Sequence, residues 1–124
     1  INLAIEDVYA YLSKPSNYKI LMPEKVRDFQ AFENNAILDI QGLGKVDLGF
    51  AEKRPPEYIE LKPNNKVPFN FNLVWNLERL DDQTTNATAT INAQLNFMMR
   101  MMAEKTLKEF LEVQVQKLAQ HLNA

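Results

Sequence analysis

Side chains able to do chemistry are few in this sequence, and their spacing does not gather them. His121 is the single histidine and cysteine is absent. A histidine-cluster or thiolate metal centre is therefore excluded, and no spacing supports a Ser-His-acid triad. His121 sits in the last turn of a helical pattern, where an imidazolium can interact with free carbonyls. Glu52 and Arg54 fall on the inward parity of a strand, at its end beside Pro55-Pro56. They either gate a pocket mouth or pair in solvent. Asp39 is opposite in parity to Leu38 and Ile40, which a solvated strand face explains. Acid–base work by paired carboxylates would need two inward acids, and the alternation supplies none. Gly42-Leu43-Gly44-Lys45 lacks the full phosphate-loop pattern and reads as a hairpin turn.

Three other features bear on an apolar interior. Gln114 lies in the middle of an apolar stripe, between Phe110, Leu111 and Leu118. A buried amide there costs free energy unless a ligand, a water or a backbone group is its partner. Met98, Met99, Met101 and Met102 are adaptable apolar side chains. A helix turns through 100° per residue, so they cannot all face one way; Met99 is assigned to the core and the rest to loops or another protomer. Trp75 is the single tryptophan, in mid-strand on the inward face. Its N–H needs a partner, so it is expected at a partly polar spot near Gln114, and any cavity there would lie beside small Ala89.

The elements that must position these groups follow from periodicity. Asn96–Ala124 has no Gly or Pro, is rich in strong helix formers, and repeats apolar residues at three- and four-residue steps. It predicts an amphipathic helix from about 97 to 122, roughly 40 Å long and able to lie across an entire sheet. Ile5, Val8, Tyr9 and Leu12 predict a short helix near 4–13, and Pro15 opens a second that ends by Met22. From Val26 the period becomes 2, with strands over 26–33, 36–41, 45–54, 58–62, 69–80 and 84–95. Phe69, Phe71, Leu73, Trp75 and Leu77 face inward on the fifth strand. Ala87, Ala89, Ile91, Ala93 and Leu95 face inward on the sixth. Strands with one wet face, joined by tight turns, predict an antiparallel sheet. Large residues beside small ones either interdigitate or leave a cavity.

Composition narrows the function classes. A chain of 124 residues with 46% apolar and 24% charged residues fits one domain. A formal charge of −2 provides no basic footprint for nucleic acid or an anionic membrane. No apolar run reaches the length of a membrane span and no signal peptide is visible, so a cytoplasmic location is the expectation.

Together these features resemble the helix-grip fold of the START and birch-pollen-allergen superfamily (SRPBCC), in particular a small bacterial group within it. The residues that carry the resemblance are Val8-Tyr9-Ala10-Tyr11-Leu12, Asn17-Tyr18, Leu21-Met22-Pro23, Gly42-Leu43-Gly44-Lys45-Val46 and, most specifically, Asn96-Phe97-Met98-Met99-Arg100-Met101-Met102. Phe97 and Thr106 stand where that group usually has Pro. The resemblance implies an α+β fold over a single domain, residues 1–124, with a curved antiparallel sheet of six to seven strands on the long C-terminal helix. It also implies a first strand, of which Ile1–Leu3 would be the end; some ten further upstream residues are expected to form the rest.

The family's cavity lies between sheet and helix. Here its lining is expected to be Leu48, Phe50, Phe71, Leu73, Trp75 and Ile91 from the strands, and Met99, Ala103, Leu107, Phe110 and Gln114 from the helix. The implied function is non-catalytic binding or transport of a small hydrophobic molecule (a lipid, quinone or aromatic compound), with no cofactor and no metal. The expected assembly is a monomer or homodimer without nucleic acid or a membrane span. Two alternatives stay open. A cyclase- or dehydratase-type enzyme would require inward polar groups such as Gln114, Arg54, Tyr58 or His121 to converge. A protein-interaction module would have a filled core and an exposed apolar patch.

Overall fold

The structure is a computed structural model that describes the chain except residues 24–25, 41–43, 68–69, 95–96 and 124, and except the side chains of 97–99 and 101–103. Helix α1 (Ile5–Leu12) and a single 3₁₀ turn (Pro15–Tyr18) precede six strands: β1 (Val26–Ala31), β2 (Asn35–Ile40), β3 (Gly44–Arg54), β4 (Tyr58–Pro63), β5 (Phe71–Asp81) and β6 (Thr84–Ala93). The chain then forms helix α2 (Phe97–Leu122). The second N-terminal element is thus one tight turn rather than a helix, with Pro15 at its start fixing the backbone. The expectations for Gln41, Gly42-Leu43, Phe69, Leu95, the methionine cluster and Ala103 fall outside the described residues or side chains.

The six strands form one curled antiparallel sheet in strict chain order, β1-β2-β3-β4-β5-β6. Hairpins impose this order, because sequential antiparallel strands need only short links. The register sets large residues against small ones: Trp75 opposite Ala89, Phe71 opposite Ala93 and Leu77 opposite Ala87. This relieves crowding where α2 approaches. Ahead of α1 in the chain, Ile1 exchanges two hydrogen bonds with Thr85 of β6. Its amino group donates to the Thr85 carbonyl at 2.9 Å, and the Thr85 N–H donates to the Ile1 carbonyl at 2.9 Å. Ile1 therefore lies along the outer edge of β6.

The core fills the concave side. Ile5, Val8 and Leu12 of α1 pack with Leu38, Val46, Ile59, Leu61, Leu73, Trp75 and Leu77 of the sheet, and Phe110 and Leu118 of α2 close the layer. The Asn2 N–H donates to Asn123 Oδ1 at 2.7 Å, which brings the end of α2 beside the start of the chain. Lys117 Nζ donates to the Met22 carbonyl at 2.7 Å and ties α2 to the segment before β1. Val74 has outward parity yet is buried, between its cross-strand neighbours Glu60 and Thr90.

Two irregularities redirect side chains. In β1 the pairing with β2 shifts between Arg27 and Gln30, around Asp28, whose φ is 52°. Asp tolerates that left-handed backbone better than most residues. In β3 the register shifts between Phe50 and Glu52. After this bulge Lys53 is opposite inward-facing Ile59, whereas Glu52 and Arg54 are opposite Glu60 and Tyr58. The inward parity assigned to Glu52 and Arg54 is therefore corrected, because one extra residue inverts every side chain beyond it.

Candidate functional site

The space between sheet and α2 is nearly filled. A void of about 10 Å³ remains, walled by Leu38, Ile40, Val46, Leu48, Phe71, Leu73, Ile91, Leu107 and Phe110. That is about the least space that admits one water, and an apolar lining keeps it dry. Of the expected lining residues, Leu48, Phe71, Leu73, Ile91, Leu107 and Phe110 surround this void, whereas Phe50, Trp75 and Gln114 do not. The void lies under Leu107 and Phe110, and neither Trp75 nor Ala89 lines it. Next to Trp75 the interior is closed by α1, whose Ile5, Val8 and Leu12 belong to the same core cluster. Met99 and Ala103 have no described side chains.

Grooves open on both flanks of α2. One, of about 410 Å³, is lined by Pro23, Ile40, Thr106, Glu109, Phe110, Val113 and Lys117. The other, of about 350 Å³, is lined by Ile91, Ala93, Arg100, Glu104, Leu107, Lys108 and Leu111. Ile40 and Phe110 wall both the first groove and the void, and Ile91 and Leu107 wall both the second groove and the void. A single layer of side chains therefore separates the buried space from either flank.

Within the layer, polar groups differ sharply in their partners. The buried Tyr18 hydroxyl donates to the Leu12 carbonyl at 2.7 Å, and burial raises its pKa well above the ordinary tyrosine value. The Trp75 indole lies beside this hydroxyl, but its N–H does not meet it in hydrogen-bonding geometry. Gln114 is 0% exposed, and among the described residues neither Oε1 nor Nε2 has a partner. Thr85 was not singled out from sequence; it is fully buried, and its hydroxyl donates to the Leu3 carbonyl at 2.8 Å.

Of the polar groups named for an enzyme, Arg54 and Tyr58 meet at the exposed end of β3, while Gln114 and His121 lie on α2. Arg54 pairs with Glu52 at 3.4 Å, both side chains more than half exposed, and its guanidinium stacks over the Tyr58 ring at 4.1 Å. His121 is exposed with its ring 5.5 Å from that of Tyr11. Asp39 is half-buried on the outer parity of β2. Among the described residues no group of three or more His, Asp or Glu could hold a metal ion, and no helix is long and apolar enough to cross a membrane.

Sequence reasoning missed the first groove. Its signal was present in part: Thr106, Phe110, Val113 and Lys117 recur at helical spacing as a second stripe beside the core stripe. Their opposite wall, Pro23 and Ile40, comes from distant segments and could not be read locally.

Sheet, layer and helix define a helix-grip-like α+β protein. A conserved protein of Geobacillus kaustophilus has the same fold, with a TM-score of 0.72 at 16% identity over 99% of this chain and 90% of its own. The KanY protein, solved by NMR, gives 0.77 at 13% identity over 100% of this chain and 92% of its own. A Nitrosomonas europaea protein gives 0.67 at 15% identity over 99% and 89%. At such identities the likeness establishes the fold alone. No protein-family model and no curated protein matches the chain.

Proposed function

We propose that this protein binds or carries a small hydrophobic molecule in the layer between the sheet and α2, in the manner the SRPBCC resemblance implies. The supporting observation is that the two spaces adjoin. The apolar groove beside Pro23 and the internal void share Ile40 and Phe110 as walls, so a rotamer change of Phe110 joins them. The combined volume falls within the size range of small-molecule sites, which are mostly apolar and carry few polar groups. Side-chain rotation of this kind is small compared with moving an element, so the fold need not open for a ligand to enter.

The test is a melting and Trp75 fluorescence screen against quinones, fatty acids and aromatic polyketides. A ligand that binds the native state raises the melting temperature by mass action. Thr106→Phe, which fills the groove from the helix side, is expected to abolish the response while leaving the unliganded melting temperature close to the wild-type value. Absence of a response from every compound, or a response undiminished in Thr106→Phe, would remove the support for this reading.

A further inference from the structure

We propose that Gln114 is the polar recognition group of this layer, selecting a flat, uncharged aromatic ligand that presents a hydrogen-bond donor and an acceptor side by side, as a carboxamide does. The inference rests on the binding reading above and specifies its ligand. Gln114 is fully buried, with both ends of its amide unpartnered among the described residues. Leaving both ends unpaired in an apolar layer is costly. A ligand amide satisfies both in one reciprocal pair of hydrogen bonds. A ketone or ether would satisfy Nε2 and leave Oε1 bare. A carboxylate would do the same and also carry a charge into the apolar interior.

Position supports the same class. Gln114 is one turn beyond Phe110, and helical side chains lean toward the N-terminus, so its amide reaches back over the Phe110 turn. Phe110 walls both void and groove. A ligand ring that takes the place of the Phe110 ring must be equally flat, and its substituent then meets Gln114. The end of α2 lies near the start of β6, through Asn2–Asn123 and Ile1–Thr85, and Leu107 shares the void with Ile91. At about 1.5 Å per helical and about 3.3 Å per strand residue, Gln114 falls level with Ala87–Ala89. Trp75, paired with Ala89, lies at that level, with its indole beside the Tyr18 hydroxyl.

Wild type and Gln114→Leu would be titrated with 2-naphthamide and with its apolar counterpart 2-isopropylnaphthalene. Wild type is expected to bind the amide at least tenfold more tightly, and Gln114→Leu to lose that preference. On the wild-type protein the Gln114 side-chain NH₂ signal in ¹⁵N NMR should move with the amide and not with the hydrocarbon. This readout holds even if the variant fails to fold. Equal binding of both compounds by wild type, an unchanged preference in Gln114→Leu, or an unmoved NH₂ signal at saturation would overturn the inference and leave the binding reading standing; the amide would then be held by a water or a backbone group. Binding of neither compound at any concentration would overturn this inference, and the screen above would decide the binding reading separately.

Discussion

Tyr18, Thr85 and Gln114 share full burial but differ in what receives their polar atoms. The first two donate to the backbone carbonyls of Leu12 and Leu3, while the Gln114 amide has no partner among the described residues. Replacing an unpartnered buried amide with an apolar side chain of similar size removes a desolvation penalty of about 1–3 kcal/mol. Gln114→Leu is therefore expected to raise the urea midpoint of the unliganded protein; a lowered midpoint would mean that the amide has a structural partner. Tyr18 predicts a pH effect. Burial raises its pKa above the ordinary value of 10.0, so the unfolded chain ionises at a pH where the folded one stays protonated. Its contribution is present below pH 10 and is lost as pH rises above it. Tyr18→Phe should flatten the fall in stability between about pH 9 and 11, at the cost of about 0.5–1.5 kcal/mol near neutrality from the lost hydrogen bond. Denaturation curves across that range measure both.

At the scale of elements, α2 matters most because its buried face closes the concave side of the sheet. Phe110 and Leu107 are 5% and 8% exposed, and each is the boundary between the void and one groove. Phe110→Ala is expected to cost about 3–5 kcal/mol, the transfer of the ring plus the cavity it leaves. Because that cavity would merge with the neighbouring groove, added benzene should recover part of the lost melting temperature. An unchanged denaturation midpoint would show that α2 does not dock as described. Helix α1 is held differently. Its apolar face joins the core, and Glu6 pairs with Arg79 of β5 at the surface, which holds the Glu6 carboxyl below its usual pKa. An exposed pair of this kind adds little, so the apolar face of α1 does most of the anchoring.

At the scale of the molecule, a meander in strict chain order makes most strand contacts local in sequence, which is why much of it was legible in advance. The bounds of β3, β4, β6 and α2 match the periodicity within about two residues, and Leu38, Val46, Leu48, Leu73, Trp75 and Leu77 are buried as their parity demanded. Reading failed at Glu52 and Arg54, where the β3 bulge inverts the parity; whether the large and small inward residues interdigitate or leave a cavity stayed open until the small void under Leu107 and Phe110 was seen. Val74, to which the alternation assigned no face, is buried by neighbours on other strands.

By itself, then, the sequence determined the element types, their order, the antiparallel pairing and the apolar faces, because hydrophobic periodicity and turn residues act over a few positions. Only the tertiary structure decided how much room those faces leave. Free volume is what remains after side chains from α1, α2 and four strands have been summed in one layer, and no local pattern contains that sum. The same holds for the isolation of Gln114, since whether a buried amide finds a partner depends on atoms tens of residues away along the chain.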